Sequence, residues 1–371
     1  MENWSLHTLN QKLEENFSGK QLSEWVRYAR NLREQNLPII FNLRHLSKIT
    51  NINQDFLYSV ICRFREKDYY KIFRINKKSG GYRFIHSPNN ELKKVQYFIN
   101  KYILSKLDIH KSCFSYHKDG GILKCAQQHT NANILFKYDL KDFFFCINEI
   151  SVYHLFNTLG YTKRLSFQMA RLCTIILIKD HEKYIKKYKL GKKIIELGVL
   201  PQGAPTSPML SNILTNQLDV KLSKLAETNN LIYTRYADDL TFSSKKTLSK
   251  IEIKIINYQI LKIIKSEKFT VNKNKISISR QGARKQVLGL IVNSETPKLS
   301  KDRKKKIDTF LYAIEKFGWE STTEHYNFRD SLGFLHHLNG LIIYAKYIDQ
   351  DLGRKYTNKL DKLLPRLFIE N

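Results

Sequence analysis

The chain has 371 residues, of which 42% are hydrophobic, so it is long enough to bury a core divided among two or three subdomains. It carries 63 lysines and arginines against 34 aspartates and glutamates, a net charge of +29 that exceeds what solubility requires and indicates an anionic partner, most simply nucleic acid. Aromatic residues make up 12% of the chain and are interleaved with the basic ones, a composition suited to stacking on unpaired bases, although most of these rings are expected in the core.

A membrane partner and a compositional bias are the alternatives to nucleic acid as the origin of the charge. An anionic membrane surface is disfavoured, because no apolar run is long enough to span a bilayer and the basic residues are spread along the chain. A lysine-rich bias of the genome is the alternative for part of the excess, since Ile, Lys and Asn are all abundant. We therefore expect a nucleic-acid partner and no membrane partner.

The cysteines and the N-terminus bear on the compartment. The five cysteines are scattered and none forms a C-x-x-C pair, which argues against a disulfide framework or a zinc site and favours a reducing compartment. The N-terminus has no basic segment followed by an apolar one, so no secretory signal is expected. The prediction is a cytoplasmic protein.

The first third of the chain predicts helices interrupted by one hairpin. Residues 1–70 are expected to be helical, and 46–52 resembles the start of a small helix-turn-helix, for which we favour a packing role. Residues 70–86 alternate as a hairpin around residues 79–81, and residues 91–107 predict an amphipathic helix. The apolar residues at helical spacing are Leu22, Trp25, Val26 and Ala29.

The middle of the chain alternates between strand and helix patterns. Residues 133–147 predict a strand that leads into an aromatic turn, and residues 165–178 predict a helix. Residues 180–198 are very basic and predict an exposed hairpin or loop, either a solvated face or a contact with a phosphate backbone. Residues 208–228 and 250–266 predict two further helices.

The last part of the chain predicts a hairpin, short strands and a helical tail. Residues 231–243 contain two apolar, β-prone runs separated by an Asp-Asp pair, the pattern of a strand, a tight turn and a second strand. Short strands follow through Val292, and the pattern from Lys301 onward is helical and basic. Strand, helix, two hairpin strands, helix and strand predict a ferredoxin-like split βαβ sheet within an α+β fold.

The Asp-Asp pair, Asp238 and Asp239, is the first candidate site. Adjacent carboxylates at a hairpin tip repel each other, and a hard divalent cation such as Mg²⁺, which prefers oxygen ligands, removes that cost. Phosphoryl transfer with two metals needs such a carboxylate cluster. Ordinary turn chemistry explains the pair equally well when it is considered alone.

A second acidic site lies upstream, where Asp139 ends a predicted strand. In a split βαβ sheet this strand lies beside the Asp-Asp hairpin, so the carboxylates would converge on two metals roughly 3.5–4 Å apart. One metal would lower the pKa of an attacking hydroxyl, and the other would neutralise a leaving pyrophosphate. Asp139 alone could be a strand-end cap, whereas all three carboxylates together favour the metal site. We interpret Asp142 as structural.

The third element is the loop over residues 200–208. Two prolines and a glycine fix an unusual backbone path just before a helix. Exposed amides at the start of that helix favour a contact with a phosphate or a base pair. An ordinary loop with a helix cap is the alternative.

In this order, the three elements resemble the polymerase motifs of the reverse transcriptases, and among these the chain resembles the bacterial retron reverse transcriptases. The resemblance runs from about Leu37 to the C-terminus. It implies an RNA-directed DNA polymerase of the right-hand kind, with fingers, a ferredoxin-like palm and a helical thumb. The expected division is 1–135 for the N-terminal helices and fingers, 136–295 for the palm, with a fingers segment at about 150–200, and 296–371 for the thumb.

The resemblance implies roles for the acidic and neighbouring residues. Asp139, Asp238 and Asp239 match the carboxylates that bind two Mg²⁺ ions, with Mn²⁺ as an alternative. Phe144 matches the steric gate that selects deoxynucleotides by excluding a ribose 2′-OH, although a core phenylalanine is its plain alternative. Lys275 matches the lysine that protonates pyrophosphate.

The resemblance also implies a binding site for the incoming dNTP. Arg83 matches a fingers residue that grips the triphosphate, assisted by Lys77 or Lys78. Gln202 and Gly203 match the residues under the nascent base pair. An exposed basic residue without such a role is the alternative for each of the cations.

The similarity to retron enzymes depends on shorter segments. Residues 37–48 resemble retron N-termini, and residues 284–289 look like the primer-grip region. The family's Asn-Ala-x-x-His motif is present with Cys125 in place of Asn, and its Val-Thr-Gly motif with Leu288 in place of Thr. These departures fall in elements tied to the handling of the cognate RNA and leave the polymerase chemistry untouched. The implied RNA-binding candidates are His129, Arg284 and Lys285.

The retron resemblance implies particular partners. The template would be a structured non-coding RNA recognised largely by shape, and a guanosine 2′-OH of that RNA would be the primer. The product would be a branched DNA–RNA hybrid, msDNA, in an antiphage defence system with a separate effector protein. Two alternatives stay open: another bacterial defence-type or group II intron-like reverse transcriptase, and a catalytically silent RNA-binding scaffold of the same fold. The intact carboxylates argue against the scaffold.

Overall fold

The computed structural model describes residues 18–64, 66–76, 80–176, 186–190 and 193–364, together with Gln11 and Glu15. Within these ranges the chain forms mostly helices, with small antiparallel sheets between them. None of the helices in the described ranges is long and apolar enough to cross a bilayer.

Where it is described, the N-terminal part consists of helices around one long hairpin, as predicted; residues 1–17, apart from Gln11 and Glu15, and the hairpin turn at 77–79 lie outside the described residues. Strands β1 and β2 pair over their whole length, from Tyr70 opposite Pro88 to Asn76 opposite Tyr82. The predicted helix over 91–107 is shorter, because a 3₁₀ turn replaces it after Tyr102. The elements are α1 (Gly19–Glu34), α2 (Leu43–Thr50), α3 (Gln54–Ile61), β1 (Tyr70–Asn76), β2 (Tyr82–Pro88) and α4 (Asn90–Tyr102).

The next part alternates helices with short strands. The helix predicted over 165–178 begins two residues earlier, where the Thr162 hydroxyl accepts a hydrogen bond from Leu165 N at 3.3 Å, and it ends at Cys173. The basic segment 180–198 contains a hairpin where it is described. The elements are α5 (Ile122–Gln127), β3 (Ile134–Asp139), α6 (Glu149–Thr158), α7 (Lys163–Cys173), β4 (Lys186–Leu190) and β5 (Lys193–Leu197).

Two helices replace the single one predicted over 208–228. They are α8 (Ser207–Leu214) and α9 (Asn216–Thr228), separated at Thr215, whose hydroxyl donates to Ser211 O at 2.7 Å. A local side-chain bond of this kind bends helices. In contrast, α10 (Lys250–Ser266) has the predicted bounds, because Ser249 and Glu252 form a reciprocal capping box at its start.

The central sheet contains β3, β6 (Ile232–Tyr236), β7 (Asp239–Ser244) and β8 (Ser277–Ser279), in the order β6-β7-β3-β8. All neighbours are antiparallel, and helices connect β3 to β6 and β7 to β8. This is the order of the split βαβ fold, which confirms the predicted ferredoxin-like palm. The strand that ends at Asp139 lies beside the strand that begins at Asp239.

The C-terminal part is a helical bundle on a three-stranded sheet. Its buried residues include Val287, Phe310 and Phe334, which form one core together with residues of α5. The predicted helical, basic tail is confirmed where it is described. The elements are β9 (Gln286–Val287), β10 (Leu290–Ile291), β11 (Lys298–Leu299), α11 (Lys301–Phe317), α12 (Trp319–His325), α13 (Ser331–Ile348) and α14 (Gln350–Leu363).

Two further cores hold the remaining elements. The first joins α2, α3, α4, α6 and α7, and it buries Leu46 and Ile52 of the segment that resembles a helix-turn-helix, in agreement with a packing role. The second joins the central sheet to α9 and α10 through residues such as Phe242 and Ile260. Each large apolar side chain buried in this way contributes about 1.5–3 kcal/mol, so the end of the sheet that carries the aspartates rests on a well-packed core.

Candidate active site

The three predicted carboxylates meet at one end of the central sheet. Asp139 is the direct antiparallel partner of Asp239, and Tyr236 pairs with Asp239 across the turn. Antiparallel partners have Cα atoms about 4.5–5.5 Å apart, so these carboxylates are neighbours. Asp238 occupies the turn itself, where its carbonyl oxygen accepts a hydrogen bond from Leu140 N at 2.9 Å.

The turn adopts a backbone conformation that requires support. Ala237 has a φ of 54°, in the left-handed region that residues with a Cβ adopt at a cost. Its amide donates to Ser115 Oγ at 2.9 Å, and its carbonyl accepts from the Arg235 guanidinium at 3.3 Å. Asn212 connects the two supports, since it donates to Ser115 O and accepts from Arg235. Side chains from distant parts of the chain therefore hold the turn.

A buried ion pair anchors this support. Arg235 and Asp219 are both fully buried, and the guanidinium donates to both carboxylate oxygens at 2.8 and 2.7 Å. The Tyr233 hydroxyl donates to the same carboxylate at 2.8 Å. The residues of this support that were not predicted from the sequence are Ser115, Asn212, Asp219 and Arg235. The one available signal was Arg235, a charged residue at an inward position of a β-prone run beside the Asp-Asp turn.

The Lys275 side chain contacts the carboxylate cluster, a contact that its predicted role as a proton donor requires. It ends the 3₁₀ turn Lys273–Lys275, and its ammonium donates to Asp139 Oδ2 at 2.7 Å. This turn is fixed to the strand by a hydrogen bond from Asn272 N to Asp139 O at 2.8 Å. The hydrogen bond to Asp139 raises the pKa of Lys275, and the charges of Asp139, Asp238 and Asp239 add to the increase. Lys275 is thus a firmly protonated donor.

The electrostatics of the aspartates indicate a concentration of negative charge. Burial raises the pKa of Asp238, and the charge of Asp139 raises it further. Burial and the charge of Asp238 raise the pKa of Asp239 to about 6. Lys275 only partly opposes both increases. A partly buried cluster of this kind is stabilised by an added cation.

The donor chemistry of the cluster fits a hard divalent metal. Asp139, Asp238 and Asp239 offer carboxylate oxygens, which Mg²⁺ prefers. Burial, and after it the charge of a neighbouring carboxylate, raises the pKa values of Asp238 and Asp239, and a bound cation would relieve both effects. In the arrangement of the described residues, no three His, Cys, Asp or Glu side chains are grouped closely enough to form a complete metal site. The Lys275 ammonium takes one of the Asp139 oxygens instead.

Phe144 lies in the turn that follows Asp139. The 3₁₀ turn Phe143–Cys146 begins at Asp142, which has a φ of 52° and whose carbonyl accepts from Phe145 N, in agreement with a structural role. Phe143 is buried, whereas Phe144 is half-buried and packs edge-on against Phe143 at 5.5 Å between ring centroids. Of the two rings, Phe144 is therefore the one with an accessible face.

The loop over 200–208 packs against the strand that carries Arg83. Gln202 O accepts a hydrogen bond from His86 N at 2.7 Å. Gly203 has a φ of +116°, and a Cβ there would lie 2.7 Å from Ile85 Cγ2, so only glycine allows this approach. Arg83 is exposed on the same strand, and its charge lowers the pKa of Asp238, which places it on the side of the carboxylates. Lys77 and Lys78 lie outside the described residues.

Two of the three predicted RNA-binding residues require correction. His129 is fully buried, and its ring nitrogens lie 2.7 Å from the hydroxyls of Ser243 and Thr234. Lys285 is 2% exposed, and its ammonium donates to Ala283 O at 3.3 Å. Neither side chain has a surface that RNA can contact, so both residues contribute to packing instead. Arg284 is exposed, with Asp302 at 3.7 Å, and stays a prediction.

Replacing His129 with Gln is expected to make the protein less sensitive to acid. Burial lowers the pKa of His129 to about 3, below its ordinary value of 6.5. The contribution of neutral His129 to the free energy of unfolding is therefore complete above pH 6.5 and is lost as the pH falls towards 3. At about pH 4.5 the loss is roughly 2–3 kcal/mol. Denaturant unfolding at several pH values measures this; identical pH profiles for H129Q and the parent protein would contradict the assignment.

The sheet order, the β1–β2 hairpin and the helical tail define the fold as that of a right-hand polymerase. The family model for reverse transcriptase (RNA-dependent DNA polymerase) matches residues 75–298. The retron Ec86 reverse transcriptase of Escherichia coli is 31% identical over 88% of this chain and 96% of its own length. The retron Mx65 reverse transcriptase of Myxococcus xanthus is 29% identical over 81% of this chain and 66% of its own, and the retron Ec83 enzyme of E. coli 28% identical over 83% and 94%.

The chain therefore belongs to the reverse transcriptases, which are RNA-directed DNA polymerases, and within them to the retron reverse transcriptases. A solved structure of telomerase from Candida albicans, in complex with a fragment of telomeric RNA, covers 79% of this chain and 63% of its own. Its TM-score is 0.44 at 13% sequence identity, and at that distance the likeness adds nothing to the assignment.

Proposed function

We propose that the protein copies a cognate structured non-coding RNA into a DNA strand covalently joined to that RNA, msDNA, in a retron antiphage defence system. The similarity to a retron reverse transcriptase over nearly the full length of both chains is the observation that carries this proposal. The net charge of +29 supports it, since an RNA template and its DNA product are both polyanions.

In the proposed mechanism, Asp139, Asp238 and Asp239 hold two Mg²⁺ ions, or Mn²⁺ in their place. Ions held there would supply Lewis acidity at the attacking hydroxyl and positive charge at the leaving pyrophosphate. The position of Asp139 and Asp239 at the ends of adjacent strands supports this role, because rigid strands keep carboxylates in fixed positions. The hydrogen bonds of Ser115 and Arg235 with the main chain of Ala237 hold the turn and therefore keep Asp238 in a fixed position.

The remaining residues act on the substrate. Lys275 donates a proton to pyrophosphate, a role that its place beside Asp139 supports, since the hydrogen bond to Asp139 keeps it protonated. Arg83 binds the triphosphate of the incoming dNTP as a bidentate donor. Gln202 and Gly203 form the surface under the nascent base pair, a role supported by their contact with His86 and Ile85 on β2, the strand that also carries Arg83.

The proposal includes the partners and the division of the chain. A specific guanosine 2′-OH of the RNA serves as primer, the effector is a separate protein, and the system acts in the cytoplasm. Residues 1–135 form the N-terminal helices and fingers, 136–295 the palm, with a fingers segment at about 150–200, and 296–371 the thumb. Cys125 and Leu288, at the departures from the retron motifs, bear on priming and not on the chemistry.

The nucleic acid that co-purifies with the protein tests the retron function. We expect a DNA strand joined through a 2′-5′ linkage to RNA, which a debranching enzyme separates and which is missing from an Asp139→Asn preparation. A linear DNA product would reject the retron function and favour another bacterial defence-type or group II intron-like enzyme. RNA without any DNA in the parent preparation would favour a silent scaffold.

Replacing Phe144 with Ala is expected to admit ribonucleotides. The half-buried ring sits five residues after Asp139, where removing it opens space for a 2′-OH. We expect the preference for dNTP over rNTP, measured as a ratio of kcat/KM values, to fall at least about tenfold. Phe167→Ala, which removes an exposed ring from α7, is the control and should keep the preference. Unchanged sugar selectivity in F144A would reject the gate.

A further inference from the structure

A pocket of about 350 Å³ lies between α2, α3 and α7, in the part of the chain that carries none of the proposed polymerase roles. We call it the three-helix pocket and define it by six of its lining residues: Asn42, Arg44, Tyr58, Thr162, Arg164 and Gln168. Pockets of this size are typical of sites for small ligands.

The first turns of three helices line this pocket. Asn42, Asn53 and Thr162 are the N-caps of α2, α3 and α7, and each side chain accepts one main-chain hydrogen bond, at 2.9, 2.7 and 3.3 Å respectively. Further first-turn amides have no acceptor within their helices. Each helix also directs the positive end of its dipole to this side. Three such ends at one pocket attract an anion.

Two arginines add full charges to the same site. Arg44 and Arg164 lie in the first turns of α2 and α7, both exposed, and the lining residues include no acid. Neither guanidinium has a carboxylate within 4.0 Å in the described part of the chain. A guanidinium matches the geometry of a phosphate through two parallel hydrogen bonds.

A buried polar side chain points to a ligand independently of the helices. Gln168 lines the pocket, is only 7% exposed, and has no hydrogen-bond partner among the described residues. Its amide atoms are not among the buried polar atoms that lack a partner in the described part of the chain, so they reach the open volume of the pocket and are available to a ligand. The ring of Tyr58, 54% exposed, lies at the rim and offers a face on which a base can stack.

We propose that the three-helix pocket binds the phosphate of a nucleotide through Arg44, Arg164 and the first-turn amides. The Gln168 amide donates a hydrogen bond to the nucleotide, and the base of the nucleotide stacks on Tyr58. The volume accommodates one nucleotide. That nucleotide is either part of an RNA strand or free, and the two sources share the phosphate that the site recognises. The proposal does not depend on the polymerase function.

Hydrogen exchange of the full-length protein tests the proposal at the pocket itself. The probes are AMP and an unstructured RNA of about ten nucleotides, in a buffer with EDTA so that no divalent ion engages the polymerase site. We expect a probe to slow exchange in residues 42–46 and 162–168. The probe concentration for half-maximal protection should rise at least about tenfold in Arg44→Gln/Arg164→Gln.

The control removes the same charge elsewhere in the N-terminal helices. Arg30→Gln/Lys48→Gln, at two exposed positions outside the pocket, should shift the half-maximal concentration by less than about threefold. Gln168→Leu, which keeps the volume and removes the amide, should weaken protection without losing α7. DNA synthesis on a primed homopolymer should stay within about twofold of the parent rate in all of these variants, which separates this site from the polymerase.

The two probes identify the source of the phosphate. Protection by RNA alone assigns a strand, and protection by AMP alone assigns a free nucleotide; both support the pocket. Protection by neither probe, or protection that the pocket variants change no more than the control does, would overturn the proposal. A failure of DNA synthesis in the parent protein would contradict the polymerase function and leave this readout intact.

Discussion

An Asp238→Asn protein should make no measurable DNA while it still binds RNA. The substitution removes one negative charge from the cluster at the turn, so the two metal ions would lose a charged ligand. The cluster would then hold the ions less tightly, and the transition state would be less well stabilised. We expect kcat/KM for dNTP incorporation to fall on the order of a thousandfold or more. Primer extension and a separate RNA-binding titration measure the two properties independently.

Asp142→Asn is the matched control for this experiment. Asp142 lies three residues after Asp139, has a left-handed backbone that Asn also adopts, and takes no part in the carboxylate cluster. Its variant should synthesise DNA at nearly the parent rate. Activity of D238N close to that of D142N would remove the metal assignment from Asp238.

The second large effect is expected at the buried ion pair beneath the turn. Asp219→Ala leaves the Arg235 guanidinium fully buried without its carboxylate partner. Breaking such a pair from one side lowers the free energy of unfolding by about 3–5 kcal/mol. Denaturant unfolding followed by circular dichroism gives this difference directly, and a loss below about 1 kcal/mol would contradict it.

A double replacement separates stability from positioning. In Asp219→Leu/Arg235→Met both charges are gone, so much of the lost stability should return. The Ala237 carbonyl, however, no longer receives the hydrogen bond from Arg235, and the turn that carries Asp238 loses one of its supports. We expect a well-folded protein whose kcat falls with little change in RNA affinity. Full activity would show that Ser115 alone fixes the turn.

The sequence predicted the elements whose signals are local. The hairpin over 70–86, the capped helix over 250–266 and the strands around the Asp-Asp pair each depend on contacts within a few residues, and each was confirmed. The order of these elements then sufficed for the sheet, because the split βαβ topology places the Asp139 strand beside the hairpin.

The errors concern properties that local signals do not contain. The helix predicted over 208–228 is two helices, because the Thr215 side chain competes for a backbone carbonyl. His129 follows a family motif, which gives its place in the chain and not its burial under β6 and β7. The support of the turn joins Ser115 to Ala237 across 122 positions, and no pattern in the sequence indicates such a pairing.

The contact between Gly203 and β2 joins two parts of the proposed polymerase site into one mechanical unit. The loop that bears Gln202 is held on β2, the strand that bears Arg83, by a main-chain hydrogen bond. The close approach of Gly203 to β2, which a Cβ would prevent, adds a second contact. A shift of one therefore shifts the other. If Gln202 senses the geometry of the nascent base pair and Arg83 the triphosphate, a mispaired base displaces the triphosphate through the backbone itself. Copying accuracy would then depend on the absence of a single methyl group.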